Sequence, residues 1–184
     1  SHEMLFDAHT RAFTAFGGVP RRGIYDNMKT AVDKVGTGKA RTVNARFLAL
    51  CGHYLFDPDF CNRAAGWEKG VVEKNVQDRR RQLWQTVAAQ EWPSLAALNE
   101  YLAEACLNAW ATLRHPEDPE RTVAEWLATE QPQLLPMPQA FDGYVEQPVR
   151  VSGTCLVYLQ RNRYSVPAEY AHRIVSLRAY PEEV

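Results

Sequence analysis

Apolar residues recur at helical spacing at the start of the chain, where Leu5, Ala8, Ala12 and Phe16 share one face and the run GGVP at 17–20 ends the helix. The next run, RRGIYD, has the apolar β-prone pattern of a short strand. MKTAVDKV reads as a second extended piece or a helical turn, and GTGKA as a loop. A helix follows over VNARFLALCGHY with Phe47, Leu48 and Cys51 on one side, and FDPDFCNRAAGWEKG, with its Pro, Gly and small residues, reads as a loop. KGVVEKNVQDRRRQLWQTV then places Val72, Val76, Leu83 and Val87 close to one line on a helix surface, with Glu73 at the edge of that stripe. A carboxylate there is costly unless it has a partner.

A further helix runs from Ser94 to about Leu113, with Leu95, Leu98, Leu102, Ala109 and Leu113 at core spacing, and RTVAEWLATE forms a shorter amphipathic one. The Pro-rich QPQLLPMPQAFDG reads as a linker, spanning 132–143. Beyond it come short β-prone runs, YVEQPVRV, CLVYLQ, RYSVP and RIVSLRAY, that fit a small antiparallel barrel or sheet over 144–184, with no further strand to close its edge.

Composition narrows the class. A 46% hydrophobic content with five Trp in 184 residues supports a real core. Cys51, Cys61, Cys106 and Cys155 are far apart and form no CxxC pair, so neither a zinc site nor a disulfide framework is signalled. His9, His53 and His115 likewise lack finger spacing and read as hydrogen-bonded core or surface groups. No GxxxxGK[ST] loop is present, which excludes a P-loop ATPase. No run of eighteen apolar residues exists, so the expectation is a cytoplasmic protein with no membrane partner. The first residues lie inside a periodic helix without a starting Met, which suggests a piece of a longer protein. Net charge is only −1, yet residues 20–81 carry 13 Lys or Arg against 7 Asp or Glu, while the remainder carries 8 against 15. Positive charge is thus concentrated in the first half, as a DNA-facing surface or a solvated one requires.

That half also holds the candidate chemistry. In GIYDNMKTAV an acid and an amide, Asp26 and Asn27, follow an apolar triplet, so the strand delivers a carboxylate to its own C-terminal edge, where open α/β sheets place ligands. Asp26 and Glu73 together make the oxygen donor set of a hard cation such as Mg²⁺. The alternative is equally physical: DN is a good turn dipeptide, and a Glu in a first helical turn favours the helix dipole. Asp7, Asp33, Asp57 and Asp59 make no convincing third ligand. Spacing alone leaves both readings open.

The strings HTRAFTAFGGVPRRGIYDNMKTAV, VNARFLALCGHYLFDPDFCNRAAGWEKGVVEKNV and NRYSVPAEY, covering nearly the whole chain, closely resemble the integrase core and C-terminal β-module of IstA-type insertion-sequence transposases, members of the DDE polynucleotidyl transferase superfamily. The resemblance implies an α/β chain with a partial ribonuclease H-like core over 1–92, a helical extension over 93–131, the linker, and a truncated antiparallel β-barrel. It makes Asp26 the second acid of the catalytic triad and Glu73 the third, with 46 residues between them, both binding Mg²⁺ or Mn²⁺. The first acid is expected upstream of Ser1, leaving the fragment alone inactive. The implied partners are double-stranded DNA, at element ends and target, further copies of the chain, and a separate ATPase helper, in the bacterial nucleoid. Lys29, Lys69, Lys74, Arg79 and Arg80, extended by Arg81, are candidate phosphate contacts, and Trp67 a candidate base-stacking residue. The competing expectation is a non-catalytic DNA-binding or assembly module of a degraded or domesticated element.

Overall fold

The computed structural model describes residues 1–36, 40–61, 70–181 and 183–184, with the side chains of residues 70–73 outside that description. Helix α1 (His2–Phe16) ends where Gly17 adopts a left-handed φ of 76°, letting its N–H and that of Gly18 close onto the carbonyls of Thr14 and Phe13. Strand β1 (Arg22–Tyr25) follows. After a turn in which the Ala31 and Val32 N–H groups both donate to the Met28 carbonyl, β2 (Val32–Val35) and β3 (Arg41–Val43) form a short antiparallel pair. Asn44 caps α2 (Ala45–Tyr54) by accepting the N–H groups of Arg46 and Phe47, and the chain returns as β4 (Asp57–Phe60).

β4 lies parallel to β1, in register from Arg22 opposite Asp57 to Tyr25 opposite Phe60. This strand corrects the expectation of a loop at DPDF. Pro58 disguised it, but a proline is tolerated in a strand where no ladder donor is needed from it. The unit is therefore a strand, a crossover containing α2, and a parallel strand, with both carboxyl ends on one edge. Its core is aromatic: Phe6, Phe13, Phe47, Tyr54, Phe56 and Phe60 are buried together with Val19 and Leu50. Leu48, expected on the buried side of α2, is instead exposed, because the stripe runs through Phe47, Leu50, Cys51 and Tyr54.

α3 (Gly70–Ala88) and α4 (Leu95–Thr112) depart from the expectation of core helices. None of their described residues is buried, and Val76, Trp84, Leu95 and Leu107 are each more than half exposed. The two pack on each other and α4 on α5 (Val123–Glu130), so the apolar spacing that implied a core meets no third layer. α5 carries a reciprocal capping box, Thr122 with Glu125.

The Pro-rich run is laid against the first core. Val19 and Leu135 exchange backbone hydrogen bonds of 2.9 and 2.8 Å, and Leu135, Met137 and Phe141 pack on the aromatic cluster. The C-terminal part is strands β5 (Val145–Arg150) and β8 (Ile174–Ala179), paired antiparallel, and the hairpin β6 (Leu156–Leu159) and β7 (Asn162–Ser165), turned by Gln160 and Arg161 with positive φ. Val151, Val157 and Leu177 form its small core. Among the described residues these are two two-stranded antiparallel sheets that form no closed barrel: two short pairs with a three-residue core have too few strands to complete a ring. No helix of the described residues is long and apolar enough to cross a membrane.

Candidate functional site

Asp26 is the first residue beyond the β1–β4 ladder, exposed, at the carboxyl end of β1. Its Oδ1 accepts the N–H of Asn27 at 2.6 Å. The last ladder bond runs from the Cys61 N–H to the Tyr25 carbonyl, 2.9 Å. Asn27 then takes over from the backbone: its Nδ2 donates to the Cys61 carbonyl at 3.3 Å, while its Oδ1 accepts Arg41 Nε. Arg41 Nη2 donates to the same Cys61 carbonyl at 2.9 Å, and Nη1 to the Ala40 carbonyl, also at 2.9 Å. Asn27, read from sequence as a turn former, is a clamp between strand ends.

Behind this edge, Tyr25 is fixed from α1. Gly23 has no Cβ, which leaves space for the Tyr25 ring to lie over it; a methyl there would come within 2.6 Å of that ring. The Tyr25 hydroxyl donates to His9 Nε2 at 2.9 Å, and His9 Nδ1 donates to the Leu5 carbonyl at 2.7 Å, which fixes a neutral tautomer. Rings of Phe13, Tyr25, Phe47 and Phe56 surround the imidazole. Burial pushes His9 below its ordinary value despite the opposing pull of the Leu5 carbonyl, and burial raises Tyr25 well above its own. Cys51, in the same core, is pushed up to about 12 by burial, so its thiol stays protonated and inert. Cys61 is also buried, Cys155 half-buried and Cys106 exposed.

The other predicted residues fall into three places. Lys29 is exposed on the turn following Asp26. Glu73 lies in the first turn of α3, with its side chain outside the described residues, as are Lys69 and Trp67 altogether. Lys74, Arg79 and Arg81 line one cleft of about 550 Å³ with Asn75, Asp78, Gln82, Leu113 and Pro116. Arg79 donates to Gln82 Oε1 at 2.9 Å, while Arg80 lies off this cleft, over the Trp84 ring at 5.9 Å. The remaining acids have other partners or places: Asp7 pairs with Arg11 at 2.8 Å, Asp33 accepts Asn44 Nδ2 at 2.9 Å, and Asp57 and Asp59 sit on β4. Among the described residues no three His, Cys, Asp or Glu gather to hold a metal ion. An exposed carboxylate at the carboxyl ends of parallel strands does suit one oxygen position of a hard, hydrated cation.

Sequence reasoning missed Arg41 and the His9–Tyr25 pair. Arg41 lies fourteen positions from Asn27, and no local pattern links the two. His9 carried a signal only in hindsight of its aromatic neighbours, since its helical face is that of the core.

Residues 135–184 match the family described as Mu transposase, C-terminal domain. Over 183 residues the chain is 59% identical to a transposase for insertion sequences IS1326/IS1353 of Pseudomonas aeruginosa, a match that takes in 100% of this chain and 36% of the relative. It is 56% identical over 184 residues to a transposase of Aminobacter aminovorans, again 36% of that protein. A transposase for insertion sequence element IS21, also of Pseudomonas aeruginosa, is 31% identical over 177 residues, 96% of this chain and 44% of the relative. The chain spans little more than a third of the length of the first two relatives, and the matches run through α1, the β1–β4 unit, the helices and the C-terminal sheets alike. Along its whole length the chain is similar to transposases of bacterial insertion sequences, in agreement with the IstA-type resemblance of its motifs.

Proposed function

We propose that the chain is part of a ribonuclease H-like transposase catalytic domain that cleaves the DNA at element ends and joins the freed 3′-hydroxyls to target DNA by phosphoryl transfer. The observation that carries this reading is the place of Asp26 at the carboxyl end of β1, beside the end of β4, from which the chain continues toward the helix bearing Glu73. In this reading Asp26 and Glu73 are carboxylate ligands for Mg²⁺ or Mn²⁺, the second and third acids of the triad. The bound cations would neutralise charge on the scissile phosphate and lower the pKa of the attacking water or hydroxyl. Lys29 would steady the phosphate beside Asp26, and the cleft of Lys74, Arg79 and Arg81 would take the backbone further along the duplex. Such contacts orient DNA without reading its sequence. The working form is an oligomer on two element ends, served by a separate ATPase helper, acting in the bacterial nucleoid.

The experiment is Glu73→Gln in a full-length transposase carrying these residues. Loss of Mg²⁺-dependent end cleavage with DNA affinity kept is the expected result, since the change removes a metal ligand and adds no bulk. Full cleavage by the variant would favour the non-catalytic assembly module instead.

A further inference from the structure

We infer that Arg41 and Asn27 are positioning residues for Asp26, a three-point clamp on the Cys61 carbonyl that holds the carboxylate where the strands end. The inference rests on the reading of Asp26 as a metal ligand. Among the described residues, the backbone bond of this strand pair nearest Asp26 runs from the Cys61 N–H to the Tyr25 carbonyl, one residue before it. At that point side chains join the two strand ends. Asn27 restores the connection with a side chain, and Arg41 completes it, so the Cys61 carbonyl receives one hydrogen from each. The two donors are tied to each other through Arg41 Nε and Asn27 Oδ1. Asp26 is therefore held on both sides, by the ladder behind and the amide ahead, and its Oδ1 is turned back onto the Asn27 N–H.

Arg41 is itself fixed. It opens β3 opposite Val35, and the Gly36 N–H donates to the Ala40 carbonyl at 2.8 Å, so the hairpin delivers the guanidinium to one spot. Its planar fork serves three acceptors at once, the Asn27 oxygen and the carbonyls of Cys61 and Ala40. A lysine cannot reproduce that geometry. The same carbonyl belongs to the residue from which the chain departs toward α3, so the clamp also fixes where the segment leading to Glu73 begins. Outer partners of metal ligands of this kind change metal affinity or activity by roughly 10–100-fold when removed.

The test compares Arg41→Gln, Arg41→Lys, Asn27→Ala and Asp26→Asn in a full-length transposase. Four readouts are taken: calorimetric titration with Mn²⁺ without DNA, single-turnover end cleavage, DNA affinity, and thermal melting. Arg41→Gln and Asn27→Ala are expected to weaken Mn²⁺ binding and slow cleavage by roughly 10–100-fold, with DNA affinity and melting near wild type. Arg41→Lys should recover part of both losses. If Asp26→Asn abolishes Mn²⁺ binding while Arg41→Gln and Asn27→Ala bind and cleave within about twofold of wild type, the clamp is overturned and the metal reading stands. If Asp26→Asn binds and cleaves normally, the reading beneath the clamp fails, and the clamp with it. Losses that follow melting temperature across all variants, Arg41→Lys included, would make these residues part of fold stability only.

Discussion

Tyr54 is 1% exposed, yet its hydroxyl is the middle of a polar relay through the aromatic core. The Phe141 N–H donates to Tyr54 Oη at 3.1 Å. Thr10 Oγ1 spends its own hydrogen on the Phe6 carbonyl at 3.1 Å, so the contact of 2.8 Å between the two hydroxyls has Tyr54 as donor. Tyr54→Phe deletes the centre of this relay, stranding the Phe141 N–H and leaving Thr10 without its donor, while the ring and its packing stay. Unsatisfied buried groups of this sort cost about 1–3 kcal/mol in total. For a chain of this size each kcal/mol moves the melting temperature by about 2–4 °C, so the variant should melt roughly 2–12 °C lower. The segment around Phe141 is the part the relay holds down, and limited proteolysis of native protein should cut near 132–143 sooner in Tyr54→Phe. Circular dichroism melts beside a protease time course measure both. A variant that melts within about a degree of wild type and is cut no faster would refute the relay as the anchor of this segment.

Two further outcomes follow from the charges. His9 has a depressed folded pKa, so below the ordinary value of 6.5 the unfolded imidazole takes up a proton that the folded one refuses. Its contribution is complete above 6.5 and is lost as pH falls through the folded value, so melting temperature should drop between pH 7 and 5 less steeply in His9→Gln; equal slopes in both proteins would contradict the burial of a neutral imidazole. For the cleft on α3, alanine at Lys74, Arg79 and Arg81 should each lower the salt dependence of DNA affinity by about 0.9 in log–log slope, roughly 2.7 for all three. An unchanged slope would place the phosphate track elsewhere.

What could be read from the sequence was whatever short-range pattern encodes. α1, α2 and α5 announce themselves through apolar spacing and caps, and GIY followed by Asp26 reads as a strand that ends in a carboxylate. The helices α3 and α4 were legible as helices and misleading as core, because periodicity reports which face is apolar and not whether anything covers it. β4 was hidden by its two acids and its proline, residues that are poor strand formers and are tolerated by pairing to β1. At the site, Asp26 was visible as a residue type in a suggestive place. Its clamp was not, since it is assembled from Asn27, Arg41 and the Cys61 backbone, three points up to thirty-four residues apart that only the crossover brings together. Tyr54, Thr10 and Phe141 meet in the same way through contacts forty-four and eighty-seven residues apart in sequence, where tertiary packing and not local propensity decides.

The most direct test of the central claim is Mg²⁺-dependent cleavage of a labelled element end by a full-length transposase carrying these residues, wild type beside Asp26→Asn, with DNA affinity measured on the same preparations. Cleavage lost by at least a thousandfold, or about 4 kcal/mol of transition-state stabilisation, with affinity unchanged is the predicted result. Equal cleavage by the two proteins would contradict it and reduce Asp26 to a residue that shapes the turn after β1.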